Sequence, residues 1–172
     1  MKPPAPPSSF QPLNTDWSKW IPSEVATLCF IRQDDQLLLI HKKRGLGAGK
    51  VNAPGGRLEP GETALEAAIR ETQEEVGVVP LGLEKRGELH FQFLDGYSLH
   101  CTVFIAQDCQ GTLIETDEAN PFWCAIDSIP YDGMWADDAH WLPLVIEGKS
   151  FLGYFEFDGE KMLSHHVETV VF

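Results

Sequence analysis

Three glutamates at helical spacing are the residues of this chain best suited to chemistry. Glu71, Glu74 and Glu75 stand at i, i+3 and i+4, so a helix turning about 100° per residue would place them within one arc. Carboxylates this close repel one another, and they suit a hard divalent cation that is also held by waters and substrate phosphates. A solvated acidic helix face is the alternative interpretation of the same residues.

Signals around these glutamates define the helix that must position them. Thr63 followed by Glu66 forms a capping box, which predicts a helix start near Ala64. Gly77 predicts the helix end in the left-handed conformation. Glycines just before the helix, in Pro54-Gly55-Gly56, would let a backbone carbonyl approach an ion closely. The predicted buried face of the helix consists of Leu65, Ala68, Ile69, Thr72 and Val76.

The stretch from Gly56 to Val78 follows the spacing G-x5-E-x7-R-E-U-x-E-E-x-G-U, where U is aliphatic. It resembles the Nudix box, the signature of Mg²⁺-dependent hydrolases that cut a nucleoside diphosphate linked to another group, and departs from it at Thr72. The resemblance implies the Nudix fold, an α/β/α sandwich of the α+β class with mixed and antiparallel sheet and two main helices. It also implies bound Mg²⁺, for which Mn²⁺ can substitute.

The resemblance assigns roles to residues of the box and to one distant glutamate. Arg70 is expected to pair with Glu62 or with a helix glutamate and to hold the loop in shape. Glu71 and Glu118 are the two candidates for the general base, and the sequence does not choose between them. The expected catalytic residues are Arg70, Glu71, Glu74 and Glu118, and the expected metal ligands are Gly55 through its carbonyl, Glu71, Glu74, Glu75 and Glu118.

Two segments outside the box narrow the resemblance further. HKKRGLGAGKVNAPGG before it and TDEANPFWCAIDSIPYDGMWADDAHWLPL after it are similar to the animal-type oxidised-purine nucleoside triphosphatases of the MutT class. That class implies a purine pocket in which the base stacks on Trp135 and is read by an acid pair. Leu46 stands where the class has an aromatic residue. The implied substrate-binding residues are Thr27, Lys42, Asn52, Phe91, Phe93, Trp135, Asp137 and Asp138.

The acid pair Asp137-Asp138 has its own chemistry if both side chains face a desolvated base. One carboxyl should then have a raised pKa and could donate a hydrogen bond while the other accepts. Taken singly, these residues have ordinary interpretations: a helix N-cap for the acids and core packing for Trp135, Phe91 and Phe93.

The resemblance implies a Mg²⁺-dependent pyrophosphohydrolase that converts oxidised purine nucleoside triphosphates to monophosphate and pyrophosphate and so sanitises the nucleotide pool. The same chemistry on a methylated purine nucleotide, an ordinary dNTP, a nucleotide sugar or capped RNA is the alternative. A non-catalytic nucleotide-binding module is a third hypothesis, although a sensor has no need of three mutually repelling acids.

Composition limits the partners. The net charge of −13 argues against a protein that coats a nucleic-acid duplex, and no apolar run is long enough to cross a membrane. Four cysteines without metal-like spacing predict reduced thiols and a cytoplasmic location. The protein is expected to be a monomer or homodimer, and the sequence does not choose between them. The basic cluster Lys42-Lys43-Arg44, with Lys50 nearby, is either a plain hairpin end or a contact of at least one lysine with phosphate.

The length of 172 residues fits one domain. Residues 1–22 hold six of the twelve prolines and are predicted to be an extension whose last part is pinned by Trp17, Trp20 and Ile21; residues 23–172 are the predicted domain. A second helix should start at Asp137 or Asp138 and run to about Glu147, with Pro143 kinking it or delaying its start. The predicted strands are Val25–Ile31, Gln36–Lys42, Glu88–Leu94, Tyr97–Ala106, Trp123–Ile126, Phe151–Phe157 and Glu160–Val167, most of them in hairpins.

Overall fold

The structure of the protein is a computed structural model that describes residues 14–172, so the first part of the proline-rich extension lies outside the described residues. In the described range, two helices pack against a mixed nine-stranded sheet, with a separate two-stranded ribbon. The helices are α1 (Ala64–Val76) and α2 (Asp138–Ile146). The strands are β1 (Glu24–Gln33), β2 (Gln36–Lys42), β3 (Val51–Asn52), β4 (Gly55–Arg57), β5 (Val78–Leu81), β6 (Glu84–Phe93), β7 (Ser98–Ala106), β8 (Asp108–Gly111), β9 (Ala119–Ala125), β10 (Ser150–Asp158) and β11 (Lys161–Val170).

The strand order β11-β10-β6-β7-β1-β2-β3 makes two parallel pairs, β1 with β7 and β6 with β10, in an otherwise antiparallel sheet. The three predicted hairpins, β1–β2, β6–β7 and β10–β11, are confirmed. Four strands, β3, β4, β5 and β8, were not predicted because they are too short to show a period of alternating residues. Strand β9 begins at Ala119, earlier than predicted.

The sheet splits beside β1. Strand β2 pairs with β1 only at their shared turn, at Arg32 and Gln33, and then diverges to pair with β9 and β3. The first half of β1 is thereby left to pair with β4. A Cβ on Gly55 would lie 2.0 Å from the Thr27 carbonyl oxygen, so the close approach of these strands requires a glycine there.

Both predicted ends of α1 are confirmed. Thr63 and Glu66 form the reciprocal capping box, and Gly77 ends the helix at φ 82°. The predicted buried face is wrong in part, because Leu65 is 44% exposed whereas Ala67 and Glu75 are buried. Helix α1 packs across the glycines of β4, where there is space for small or carboxylate side chains but not for a leucine. The face of α1 that is turned to the sheet therefore carries the glutamates rather than Leu65.

Two apolar layers enclose the sheet and confirm the α/β/α sandwich. Residues of β1 alternate between them: Cys29 and Ile31 pack with Ala68 and Val76 of α1, whereas Phe30 packs in the larger core on the α2 side. That larger core includes Trp141, Phe151, Phe155 and Phe157. Helix α2 starts at Asp138 despite Pro143 inside it, so the proline does not delay its start, and its C-cap is Glu147 as predicted.

Residues 14–22 lie across the outer face of β6 and β10. Trp17 contacts the rings of His90 and Tyr154, and the Trp20 indole donates to Gln92 Oε1 at 2.9 Å. The predicted anchoring by Trp17 and Trp20 is therefore confirmed. Ile21 does not anchor the segment with its side chain, which is 84% exposed, because that part is held through backbone and hydroxyl contacts at the start of β7.

No helix among residues 14–172 combines the length and apolar character that a membrane span requires.

Candidate functional site

Three carboxylates converge beside the N-terminal half of β1. Oxygen atoms of Glu71, Glu75 and Glu118 lie within 4.8 Å of one another, which makes them the group within residues 14–172 that could hold a metal ion. Helix α1 supplies Glu71 and Glu75 one turn apart, and the loop before β9 supplies Glu118. The Thr116 hydroxyl donates to the Glu75 carbonyl at 2.8 Å and accepts from the Glu118 amide at 3.2 Å, so it fastens that loop to the helix.

Glycines of β4 make room for these carboxylates. A Cβ on Gly56 would lie 2.5 Å from Glu71 Cδ, and the Gly55 amide donates to Glu75 Oε2 at 3.4 Å. Burial raises the pKa of Glu75 to about 8, with the charge of Glu71 as the next cause, and burial also raises the pKa of Glu71. The residues present fit a divalent cation, because a hard cation would relieve both the burial and the repulsion of these oxygens.

Arg70 organises the approach to this cluster. Its guanidinium donates twice to Glu62, at 2.7 and 2.8 Å, once to Glu71 at 2.9 Å and once to the Arg57 carbonyl at 3.2 Å. The prediction that Arg70 pairs with Glu62 or with a helix glutamate is confirmed, since it does both. Hydrogen bonding to Arg70 holds the pKa of Glu62 at about 2, so that carboxylate stays ionised as an anchor.

Glu74, predicted from spacing to join the same arc, lies outside the converging group. Its side chain is 55% exposed, and it accepts from Arg70 at 3.2 Å. The sheet-facing side of α1 takes Glu71 and Glu75 inward and leaves Glu74 at the solvent edge. Metal-ligand roles for Glu74 and for the Gly55 carbonyl stay predictions.

Basic residues around the cluster are mostly engaged with protein acids. Lys43 pairs with Glu115, and Arg44 donates to Glu118 Oε1 at 3.0 Å. The positive charge of Lys42 lowers the pKa of the buried Glu75 and so opposes the effect of burial. The predicted lysine contact with phosphate stays a prediction, and Lys42 is placed best for it.

A second pair of acids is buried at the start of α2. Asp137 accepts from the Trp141 indole at 2.8 Å, whereas Asp138, 4% exposed, has a buried Oδ2 without a hydrogen-bond partner among the described residues. Asp137 occupies the N-cap position but has helical φ and ψ and makes no side-chain cap, so the N-cap interpretation does not explain the pair. Burial raises the pKa of Asp137 to about 6, and burial together with the charge of Asp137 raises the pKa of Asp138 well above its ordinary value.

Aromatic rings cluster around Trp135, two positions before this acid pair. Trp135 meets Phe93 and Phe157 edge to face, with centroids 6.3 and 5.6 Å apart, and Phe91 stacks on Phe155 at 5.6 Å. Phe91 and Phe93 thus share the predicted face of β6. Two further contributors, Phe157 and Lys50, were not among the predicted site residues; the ammonium of Lys50 lies 5.4 Å from the centroid of the Trp135 ring. The alternation of aromatic residues along β10 could have indicated Phe157.

The two remaining predicted pocket residues are Asn52 on β3 and Thr27 on β1. Asn52 is partly exposed on β3, and its Oδ1 accepts from the Ala53 amide at 2.8 Å. Thr27 is buried with Oγ1 unpartnered among the described residues. By strand alternation Thr27 lies on the same face as Cys29 and Ile31, so its side chain points to the α1 side rather than to the aromatic rings. Substrate contacts for both residues stay predictions.

Comparisons with known proteins agree with this geometry. A family model described as NUDIX domain matches residues 22–145. A Danio rerio protein named oxidized purine nucleoside triphosphate hydrolase is 43% identical over 84% of this chain and 93% of its own length. The Mus musculus protein of the same name is 38% identical over 86% and 96%. Among solved structures, a MutT protein from Bacillus halodurans has a TM-score of 0.76 and 27% identity, covering 84% of this chain and 97% of its own.

Proposed function

We propose, from the premise that this chain belongs to the NUDIX family, that it hydrolyses oxidised purine nucleoside triphosphates to the monophosphate and pyrophosphate and so sanitises the nucleotide pool. The observation that carries the proposal is the convergence of Glu71, Glu75 and Glu118 within 4.8 Å. The names of the relatives from Danio rerio and Mus musculus support the substrate class. The unpartnered buried oxygen of Asp138 supports a polar ligand in the aromatic pocket.

The acid cluster would hold Mg²⁺, or Mn²⁺ in its place, through Glu71, Glu75 and Glu118. When bound, the ion supplies positive charge that offsets the negative charge developing on the phosphate oxygens. Arg70 keeps Glu71 oriented through the hydrogen bond at 2.9 Å, and Gly56 leaves the space that the Glu71 carboxylate fills. Lys42 is proposed to contact a phosphate oxygen.

A carboxylate must orient the attacking water and take its proton. Glu71 and Glu118 are the candidates, and each has a cationic neighbour: Arg70 for Glu71 and Arg44 for Glu118. Replacing each with glutamine separates the roles. Excess metal should restore part of the turnover of a variant that lost only a ligand, but not that of the variant that lost the base.

In the purine pocket, the acid pair supplies both hydrogen-bond polarities. Burial raises the pKa of both Asp137 and Asp138, which favours a proton held by the pair, so that one carboxyl can donate while the other accepts. The Trp135 ring is proposed as the stacking surface, with Phe91 and Phe93 as walls. Such a pocket reads an oxidised purine by the pattern of donors and acceptors on its edge.

A competition panel of 8-oxo-dGTP, 2-hydroxy-dATP, dGTP and ADP-ribose at equal concentration tests the proposal by the formation of each nucleoside monophosphate, which is AMP for ADP-ribose. We expect at least a ~10-fold preference for an oxidised purine, which needs only about 1.4 kcal/mol of differential transition-state binding. Equal rates on all four nucleotides would contradict the sanitising role but leave the metal-dependent hydrolase. Binding without turnover of any substrate would favour a non-catalytic module.

Location and assembly complete the proposal. All four cysteines are free thiols, which supports a reducing, cytoplasmic compartment. We infer a small nucleotide as the partner of the site and a monomer or homodimer as the working form. Light scattering at the protein concentrations used in the activity assays measures the oligomeric state.

A further inference from the structure

Lys50, in the loop after β2, contacts Trp135 and Glu160, two residues that are far from it in the chain. Its ammonium lies 5.4 Å from the centroid of the Trp135 ring and 3.6 Å from Glu160 Oε2, in the turn between β10 and β11. Its side chain is only 22% exposed, so the charge is held in a partly desolvated place where a cation over an indole is worth more than in water. Glu160, by contrast, is mostly exposed.

The loop that carries Lys50 also packs against the edge of the Trp135 indole. Gly47 has φ +83°, and a Cβ there would lie 2.6 Å from Trp135 Nε1. The Lys50 amide donates to the Gly47 carbonyl at 3.0 Å, and the Lys50 carbonyl accepts from the Lys42 amide at 2.9 Å. Backbone hydrogen bonds therefore fix Gly47 and Lys50 relative to each other within the loop that lies beside the Trp135 ring.

We propose that Lys50 is a positioning residue that determines base specificity: held by Glu160, its ammonium fixes the Trp135 ring beside the Asp137–Asp138 pair. The inference rests on the proposed function, because specificity is read through hydrolysis of purine nucleotides. It adds a residue that touches the pocket walls rather than the reacting phosphates.

The charge of Lys50 acts on the acid pair against burial. Burial and the neighbouring Asp137 raise the pKa of Asp138, and Lys50 lowers it. Cys101 of β7 and Tyr131 also lie near Asp138: burial is the largest cause that raises their pKa values, and the charge of Asp138 adds to the rise in both. Loss of Lys50 would favour the protonated carboxyl, which donates to a carbonyl or ring nitrogen, over the carboxylate, which accepts from a purine N–H.

The kinetic test compares Lys50→Met and Lys50→Arg with Lys149→Met, a lysine paired with Glu147 at 2.9 Å on the surface beyond α2. The readout is the ratio of kcat/KM for 8-oxo-dGTP to that for 2-hydroxy-dATP. We expect Lys50→Met to change this ratio at least ~5-fold, mainly through KM, because stacking and edge recognition act on binding. Lys50→Arg should keep the ratio within ~2-fold of wild type, since arginine retains the charge and the contact with an aromatic ring.

An unchanged ratio in Lys50→Met, or an equal change in Lys149→Met, would overturn the inference. A carboxyl NMR titration of Asp138 decides it independently of turnover: its midpoint should rise in Lys50→Met and stay in place in Lys50→Arg and Lys149→Met. Absence of hydrolysis of every nucleotide by the wild type would refute the proposed function, and the titration would still establish or refute the action of Lys50 on the acid pair. A midpoint that does not move in Lys50→Met contradicts that action.

Discussion

The acid cluster and the proposed purine pocket differ in how the chain builds them. The cluster takes two glutamates from one turn of α1, a glycine strand just before that helix and one residue from the loop before β9. The pocket takes its walls from the loop after β2, from β6, from the start of α2 and from β10. A site assembled within one motif leaves a sequence pattern, whereas a site assembled from many elements leaves isolated residues.

The two regions also relieve buried carboxylates in different ways. Glu75, with a pKa of about 8, belongs to a group of three acids with enough room for a cation. The Asp137–Asp138 pair has one oxygen satisfied by the Trp141 indole and one unpartnered, so a shared proton and a ligand hydrogen bond suit it better than a metal. Chemistry and recognition are thus separable, and each can be broken alone.

The largest effect should follow from replacing Glu75, the buried acid of the cluster. Glu75→Gln should reduce turnover more than ~100-fold on every nucleotide, because even outer-shell partners of metal ligands cost roughly 10–100-fold. Glu74→Gln is the matched control and should cost clearly less, since Glu74 lies outside the converging group. Metal-dependent pyrophosphate release measures both. Equal losses would show that Glu74 is a ligand of the same rank.

Gly56→Ala should disturb the chemistry without unfolding the domain. The added Cβ would meet the far end of the Glu71 side chain at 2.5 Å, so the carboxylate rather than the backbone must move. We expect a roughly 10-fold to 100-fold loss of rate, as for misplaced catalytic groups, with the base preference retained. Gly133→Ala, which has open space around it, is the control. A changed preference among purines would contradict the separation of the two regions.

Asp138→Asn should change the base preference and leave the metal-dependent chemistry intact. The amide keeps the shape but loses the titrating carboxyl, so selection among purines should fall ~10-fold while Mg²⁺ dependence stays intact. Asp132→Asn, at an exposed position in the preceding turn, should leave both unchanged. The nucleotide panel at saturating and zero Mg²⁺ measures the two properties together. Loss of Mg²⁺ dependence would show that the acid pair belongs to the metal site.

The smallest effect concerns pH. Because the pKa of Glu75 rises from 4.5 to about 8 on folding, the metal-free folded state holds an extra proton, and stability should decrease as pH rises through that window. Bound Mg²⁺ needs the carboxylate, so its increase of Tm should be larger at about pH 9 than at about pH 6. Thermal unfolding of wild type and Glu75→Gln measures this. An equal Mg²⁺ effect at both pH values in wild type would show that Glu75 does not bind the ion.

The sequence predicted the parts of the fold that repeat a local period or cap. The α1 capping box, Gly77 and the three hairpins followed from spacing and turn residues. It could not show that α1 rotates to bury Glu75 and expose Glu74, because the rotation depends on glycines of a strand too short to recognise. The role of Lys50 was hidden for a similar reason, since its partners Trp135 and Glu160 are far away in the chain.

The contacts of residues 14–22 bear on where this domain begins. Glu156 is buried and accepts from the Thr15 amide at 3.1 Å, from the Thr15 hydroxyl at 2.6 Å and from Ser164 at 2.6 Å. A chain trimmed to the family match at residue 22 would leave that carboxylate with one donor and would uncover the ring of Tyr154 beneath Trp17. Residues 14–21, which precede the family match, therefore contribute contacts to β6 and β10, and a protease cut before residue 22 should lower the stability of these strands.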